Sequence, residues 1–436
     1  MRVAFVIALL AAAIRLAPIA DGARPLFSDE QDYDRLARTL ASTARYEDDG
    51  RPTAYRPVGY PAWVGAIYRV AGPRPEAVRV SQAVLDGATA FLLFVLLRRR
   101  GGTAARGAAL LWALYPPAIL YTRFLRPETL TAFLLVAVAV ALSRESAMSR
   151  RARVAVGVLI GVTVLVKSEF ALVLPAIPFL LERGGDAGAA AARGDGRAAR
   201  TAALLAGALL VIAPWVARNA AAVGSPTLAT SFGAVLLIGN HPAATGGYAP
   251  AVPDSMRPRA TGELESSRES MRAATSYIAA NPGRFLVSVA RKWALTLMSE
   301  AELVVTALHP RPGDEATSFR AKAREVPVWK HALVSVPYAL LLVLGLVGYL
   351  APPGGAAPRF FLAVVAAWLL AHGLTFGGSR YHFPMMPFLV ASSAAFLGNP
   401  GPRLEAMKSA SWVLAGFITA VAVAVWTVEI VVLWFR

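Results

Sequence analysis

The chain has 436 residues, of which 56% are hydrophobic and 16% are charged, and it contains no cysteine. This composition is typical of an integral membrane protein, and the lack of cysteine excludes a disulfide framework or a thiolate metal site. The formal net charge of +17 does not indicate nucleic-acid binding, because the arginine clusters lie between apolar segments and no recognition motif accompanies them.

Apolar segments alternate with two long polar segments along the chain. At about 20 residues per crossing, the apolar segments predict about eleven transmembrane helices. We therefore predict an all-α polytopic membrane protein. Its regions are an uncleaved first transmembrane helix, a first extracytoplasmic loop with interfacial helices, transmembrane helices 2–7, a second extracytoplasmic loop and transmembrane helices 8–11, over residues 1–19, 20–78, 79–217, 218–330 and 331–436.

The arginines of the short loops set the predicted orientation. Clusters at residues 98–106 and 144–153 fall on the same predicted side, which the positive-inside rule assigns to the cytoplasm. Both long polar segments then face outside. The richness in alanine, arginine and glycine indicates a bacterial source, so we expect an inner (plasma) membrane protein whose polar segments face the periplasm or extracytoplasmic space.

The first polar segment opens with Phe27-Ser28-Asp29-Glu30-Gln31-Asp32-Tyr33. Ser28 and Gln31 have the spacing of a capping box, which predicts that a helix begins at Asp29. Free backbone N–H groups in the first turn favour ionised carboxylates there. The residues that follow carry an apolar stripe, as expected of a helix in the membrane interface.

Basic residues at predicted outer helix ends depart from the positive-inside pattern. They are Arg56, Arg126, Lys167 and Arg380. Snorkelling and salt bridges at helix ends explain a single such cation. A set of them on the same side as the acidic helix start favours binding of a phosphate-bearing ligand.

The order of these features resembles the GT-C superfamily of polyprenyl-phosphate-sugar-dependent glycosyltransferases. The branch it is most similar to contains the protein O-mannosyltransferases and the lipid A aminoarabinose transferases. The resemblance runs from the first apolar segment to about Leu397. The motifs that carry it are Asp29-Glu30-x-x-Tyr33, Arg56-Pro57 with Gly59-Tyr60-Pro61, Arg126-Pro127-Glu128, Gly239-Asn240-His241-Pro242, and Arg380-Tyr381 with Pro384 and Pro387.

The resemblance implies a GT-C fold and an inverting transfer of a hexose or pentose from a polyprenyl phosphate, such as undecaprenyl phosphate, to an acceptor hydroxyl. It implies that Asp29 is the catalytic base, with Glu30 as an alternative and Glu128 as a second acidic residue. Arg56 and Arg380 would bind the lipid phosphate, with Arg126 and Lys167 as weaker candidates. The residues expected to bind substrate are Asp32, Tyr33, Tyr60, Asn240, His241, Tyr381 and His382; Asp32 is also an alternative base.

The five histidines lack metal-ligand spacing, so no cofactor is expected, although a divalent ion on the phosphate is compatible with the chemistry. Expected partners are the lipid-linked donor, the bilayer, and a protein, glycolipid or polysaccharide acceptor in the cell envelope. The second polar loop is the expected site of acceptor specificity. The alternatives are a transporter or flippase for a lipid-linked sugar or another anion, and an assembly protein without chemistry.

Overall fold

The computed structural model describes residues 1–20, 24–181, 196–248, 251–308, 319–350, 356–400, 405, 407 and 409–435. Most of these residues are helical, which confirms the predicted all-α class. Strands within the described ranges are confined to a short antiparallel pair, Glu47–Asp48 (β1) and Arg51–Pro52 (β2).

Helices of the N-terminal part follow the predicted apolar segments, with one interruption. The apolar segment over residues 104–121 is divided into two helices, because Pro116 and Pro117 cannot continue the preceding helix. The bounds are Arg2–Ala20 (α1), Asp29–Thr43 (α2), Gly59–Ala71 (α3), Pro75–Leu97 (α4), Gly102–Ala113 (α5), Pro116–Tyr121 (α6), Glu128–Leu142 (α7), Arg150–Val166 (α8) and Ile177–Leu180 (α9).

The C-terminal part holds the second polar loop and the last apolar helices. The second polar loop contains a short helix, Phe232–Ile238, that the sequence did not predict. The bounds are Arg197–Ala222 (α10), Phe232–Ile238 (α11), Glu263–Ala280 (α12), Pro282–Thr296 (α13), Ala301–Leu308 (α14), Phe319–Glu325 (α15), Val328–Leu350 (α16), Ala356–Leu374 (α17), Met386–Leu397 (α18) and Ser409–Ile430 (α19).

Several helices have the length and composition of membrane spans. In the described part of the chain, five helical segments are long and apolar enough to cross, and helices over residues 128–142 and 168–180 are shorter and apolar. The protein is therefore a multi-pass membrane protein, while the count of eleven crossings stays a prediction. The five segments are Pro75–Arg100, Arg197–Ala222, Val328–Leu350, Ala357–Leu374 and Ser411–Trp434.

Two predicted crossings begin as 3-10 helices. Ser168–Ala176 contains Pro175, and Ser379–Met385 contains Pro384. A proline inside a helix removes a backbone donor and obstructs regular α-helical hydrogen bonding. These irregular turns follow Lys167 and carry Arg380, so they place two of the predicted cations at the same end of the helix bundle.

A buried ion pair joins α1, α4 and α5. The Arg15 guanidinium contacts the Asp86 carboxylate, and the Trp112 indole donates to the other Asp86 oxygen at 3.1 Å. The remaining Arg15 N–H groups donate to the carbonyl oxygens of Ala11, Trp112 and Ala113. Both charged side chains are fully buried, and their polar atoms are hydrogen-bonded, so the pair fixes how these helices meet.

Asp86→Leu should lower the free energy of unfolding by about 3–5 kcal/mol, because it leaves the buried Arg15 charge without its partner. The measurement is unfolding of the purified protein in detergent. The double replacement of Asp86 by Leu and Arg15 by Met removes both charges and should recover most of the loss. Equal destabilisation by the single and double variants would contradict a paired-charge role.

Candidate active site

The helix α2 begins at Asp29, as the sequence predicts. Ser28 precedes it with φ of 49°, and its side chain makes no cap hydrogen bond. The Gln31 amide instead donates to the Leu26 carbonyl oxygen at 3.0 Å. The predicted capping box is therefore not formed, although the acidic first turn is in place.

Two arginines from distant parts of the chain hold the Asp29 carboxylate. Arg56 Nη2 lies 2.6 Å from Asp29 Oδ1, and Arg380 Nη1 lies 2.8 Å from Oδ2. Arg56 comes from the first polar loop and Arg380 from the 3-10 turn before α18. The fold thus brings together three residues of the predicted site, all partly accessible to solvent.

The surrounding charges keep Asp29 ionised. Burial alone would raise the pKa of the Asp29 carboxyl, but the positive charges of Arg380 and Arg56 outweigh it and hold the pKa below its ordinary value. An opposite charge within hydrogen-bond distance favours the ionised form of a carboxyl group. Asp29 is therefore a carboxylate across the physiological pH range.

Asp32 and Tyr33 lie on the side of Arg56. Arg56 Nη2 donates to Asp32 Oδ2 at 2.9 Å, and its guanidinium carbon lies 5.6 Å from the centre of the Tyr33 ring. Asp32 also pairs with Arg35 at 3.2 Å. Asp32 thus shares its charge between two arginines and is less confined than Asp29.

A cavity of about 420 Å³ opens beside Asp29. Arg126, Arg380 and Tyr381 line it together with Asp29, and Gly247 and Tyr248 enter from the second polar loop. Arg56 and Lys167 are not in the lining. The cavity therefore has the Asp29 carboxylate and two guanidinium groups on its wall. Arg56 contacts Asp29 from outside the cavity.

Arg126 and Glu128 lie at the start of α7, next to this cavity. Arg126 makes no ion pair within the described residues, and its Nε atom is buried without a hydrogen-bond partner. Glu128 is 3% exposed, and its Oε2 atom is also buried without a partner. Buried polar atoms of native proteins are usually hydrogen-bonded, so both side chains have capacity for a ligand or water.

Lys167 is held within the protein. Its ammonium group lies 3.3 Å from Glu169 Oε1 and 5.4 Å from the centre of the Tyr381 ring. Burial lowers the pKa of Lys167, but the negative charges of Glu169 and Glu128 more than offset this and raise the pKa above its ordinary value. Lys167 is a positive charge outside the cavity lining, in contact with Tyr381, which is part of the wall.

Glu30 does not share the position of Asp29. Its side chain is fully buried, and Arg24 Nη1 lies 3.0 Å from both of its carboxylate oxygens. The backbone N–H of Leu125 donates to Glu30 at 2.8 Å. These bonds join the start of α2 to the turn before α7, which gives Glu30 a structural role away from the cavity.

Other expected substrate contacts are also used internally. The Asn240 amide donates to Leu236 and Leu374 and accepts from Lys292 at 2.8 Å. Four of the residues expected to bind substrate are buried and absent from the lining of this cavity, so their substrate contact stays a prediction. The residues concerned are Tyr60, Asn240, His241 and His382.

His382 illustrates this internal role. One ring nitrogen pairs with the Thr296 carbonyl oxygen at 2.8 Å and the other with Glu300 Oε1 at 3.0 Å, while Tyr338 stacks on the ring with centroids 4.2 Å apart. Glu300 lies in none of the motifs found in the sequence, so its contact with His382 could not be predicted. This arrangement anchors the 3-10 turn that presents Arg380 and Tyr381.

The cavity wall also contains residues that the sequence did not indicate. Three of them come from the end of the second polar loop and from α19 and lie in no local motif, whereas Ser379 directly precedes the predicted Arg380-Tyr381 motif. Carboxylate and hydroxyl groups among them add hydrogen-bonding capacity to the wall. They are Ser299, Glu302, Ser379 and Glu429. Among the residues described, no group of three or more histidine, aspartate or glutamate side chains forms a metal site.

Fold and site together define a helical multi-pass membrane protein with a charged cavity at one end of its helices. The family model of dolichyl-phosphate-mannose-protein mannosyltransferase matches residues 55–217, which include Arg56, Arg126 and Glu128. This match agrees with the resemblance to the GT-C superfamily and covers just over a third of the chain. No curated protein matches the chain in sequence.

Two solved structures are similar to the chain at low sequence identity and with TM-scores below 0.5. The Archaeoglobus fulgidus oligosaccharyltransferase in complex with Zn and sulfate is 14% identical with a TM-score of 0.47, over 96% of this chain and 52% of its own. ArnT from Cupriavidus metallidurans bound to undecaprenyl phosphate is 15% identical with a TM-score of 0.45, over 91% and 77%. The chain thus spans about half the length of the archaeal enzyme, and likeness at this level carries no residue-by-residue comparison.

Proposed function

We propose that the protein is an inverting glycosyltransferase that moves a sugar from a polyprenyl phosphate to an acceptor hydroxyl on the extracytoplasmic side of a bacterial inner membrane. The observation that carries the proposal is the Asp29 carboxylate, held ionised between Arg56 and Arg380 on a cavity wall. The family match over residues 55–217 supports the class of reaction.

Asp29 is the proposed base. The acceptor oxygen forms a bond to the anomeric carbon as the bond from that carbon to the phosphate oxygen breaks, and the hydroxyl proton passes to Asp29. A carboxylate with a depressed pKa is a weak base, but the hydroxyl becomes acidic as its oxygen bonds to carbon, so the proton can transfer late. The ion pairs with the two arginines leave carboxylate lone pairs for this contact.

Arg380 and Arg126 are the proposed phosphate ligands. Both line the cavity with Asp29, and Arg126 has no ion-pair partner among the described residues. The lipid phosphate leaves with the electron pair of the broken bond, and fixed guanidinium groups stabilise its growing negative charge. Because Arg56 is outside the lining, we assign it to holding Asp29 rather than to the phosphate.

A transporter for an anionic lipid-linked substrate needs ionisable groups along a path through the membrane. The buried Arg15–Asp86 pair is fully hydrogen-bonded, and neither residue lines the cavity beside Asp29. The charges of that cavity instead lie at helix ends. This arrangement favours chemistry at a fixed site over passage.

Purified protein should transfer radiolabelled sugar from a member of a panel of polyprenyl-phosphate sugars to a hydroxyl acceptor, with release of the lipid phosphate. The same donors in proteoliposomes test the alternative. Movement of intact donor between leaflets without release of lipid phosphate would contradict the proposal and support a transporter.

The pH dependence of kcat/KM should report the charges around Asp29. In the wild type, ionisation of Asp29 should limit activity only below its ordinary value of 3.8. Arg56→Gln removes a positive neighbour, which raises the pKa of Asp29 and moves the acidic limb to higher pH. Arg35→Gln is the matched control, because Arg35 contacts Asp32 and Asp48 instead. If the acidic limb of the kcat/KM profile lies at the same pH in Arg56→Gln as in the wild type, Asp29 is not the base.

A further inference from the structure

A second cavity lies at the opposite end of the helix bundle. It has a volume of about 200 Å³ and lies among the C-terminal ends of α4, α16 and α18 and the start of α17. Arg98, Arg99, Arg100 and Arg144 line it, together with Tyr349. Neither the active-site proposal nor the resemblance to glycosyltransferases accounts for this cavity.

The two cavities are separated by the length of the bundle. Helix α7 starts at Glu128, beside the active site, and ends at Leu142, immediately before the pocket residues Ser143 and Arg144. Its 15 residues correspond to roughly 22 Å of helix at about 1.5 Å per residue. The second cavity therefore lies at the other end of the helix bundle, on the side that the positive-inside rule predicts to face the cytoplasm.

The pocket arginines have no counter-charge in the described part of the chain. No ion pair or side-chain hydrogen bond involves Arg98, Arg99, Arg100 or Arg144 there. The nearby Glu145 carboxylate is already bound by Arg153 of α8 at 3.1 Å and by Arg200 of α10 at 3.0 Å. Adjacent guanidinium groups repel one another, so an anion in the pocket would relieve that repulsion.

The rest of the wall is suited to a lipid chain. Leu96, Leu97, Phe388, Ala391 and Ala395 are apolar and line the same cavity as the arginines. Arginine side chains that only snorkel reach from a helix end towards water and require no cavity. A pocket with guanidinium groups beside an apolar wall matches an amphiphile with an anionic head and a hydrocarbon tail.

We propose that this pocket binds an anionic membrane lipid, one whose phosphate headgroup carries net negative charge, at the surface opposite the active site. The guanidinium groups bind the phosphate and the apolar wall contacts the start of the tail. Basic pockets between transmembrane helices on the cytoplasmic side commonly bind lipid phosphates in this way. The proposal is independent of the sugar-transfer reaction, and either can fail without the other.

Native mass spectrometry of the full-length protein tests the proposal. The probes are phosphatidylglycerol, a polyprenyl phosphate, inorganic phosphate and phosphatidylcholine. The pocket variant carries Arg98→Gln and Arg144→Gln. The matched control carries Arg150→Gln and Arg151→Gln, two exposed arginines just beyond the pocket on the same side of the membrane. Both variants lose two positive charges, and a thermal unfolding curve of each checks that it is folded.

The pocket variant should bind phosphatidylglycerol or polyprenyl phosphate about 20–30-fold more weakly than the control variant, since each arginine near a lipid headgroup contributes roughly fivefold. The lipid whose affinity differs more between the pocket variant and the control variant is the lipid that the pocket binds. Equal binding by the two variants would overturn the proposal. So would competition by inorganic phosphate at the same concentration as lipid, or equally tight binding of phosphatidylcholine.

Discussion

Asp29→Asn should lower kcat for sugar transfer by about 10²–10⁴-fold, the usual contribution of a general base. The amide keeps the size of the side chain but cannot accept the acceptor proton. The variant should remain folded, because Asp29 is partly exposed and not a packing residue. The assay compares initial rates of transfer from the active polyprenyl-phosphate donor.

Asp32→Asn is the matched control for this substitution. Asp32 is in the same turn of α2 and also pairs with Arg56, but it lies outside the cavity lining. Asp32→Asn should lower kcat by less than about tenfold, because an exposed ion pair contributes little free energy. Loss of activity in Asp32→Asn with near-wild-type activity in Asp29→Asn would move the base to Asp32.

Arg380→Gln should reduce kcat by about 10²–10³-fold, the effect of removing one donor that stabilises charge in the transition state. The guanidinium lies on the cavity wall, 2.8 Å from Asp29, where it can neutralise both the base and the departing phosphate. Arg380→Lys keeps the charge but loses the planar fork, so it should recover part of the activity.

Arg380 can stabilise both the Asp29 base and the departing phosphate. A donor whose leaving group needs less stabilisation distinguishes these two roles. A donor whose phosphate leaves more easily should restore activity to Arg380→Gln more than to Asp29→Asn, because only the former lacks phosphate stabilisation. Arg35→Gln, an exposed arginine of the same region, should remain within a few-fold of wild type. Equal rescue of both variants would contradict the assignment of Arg380 to the phosphate.

Local patterns allowed much of the fold to be predicted from the sequence. Helix α2 begins at the predicted Asp29, because the acidic first turn is a local signal. Helices α4, α10 and α16 follow long apolar segments, whose composition is sufficient to identify them. The apolar segments over residues 168–180 and 379–397 each begin with a proline-containing 3-10 helix, which their apolar composition does not indicate.

The site could be predicted only in part, because its contacts join distant residues. Motifs near Asp29, Arg56 and Arg380 indicated the residues that meet, yet the sequence could not separate Asp29 from Glu30. Adjacent residues on a helix point in different directions, and only the fold shows that Glu30 is enclosed by Arg24. Residues such as Glu302 lack a local motif and enter the cavity only through packing.

The anomeric configuration of the product tests the central claim most directly. Purified wild-type protein would be given a donor of known configuration, and the new glycosidic bond would be assigned by NMR before any rearrangement. Our account predicts inversion, because the acceptor oxygen attacks in one displacement while Asp29 takes its proton. Retention of configuration would contradict it, since retention requires a covalent intermediate or another route in which Asp29 is not the base.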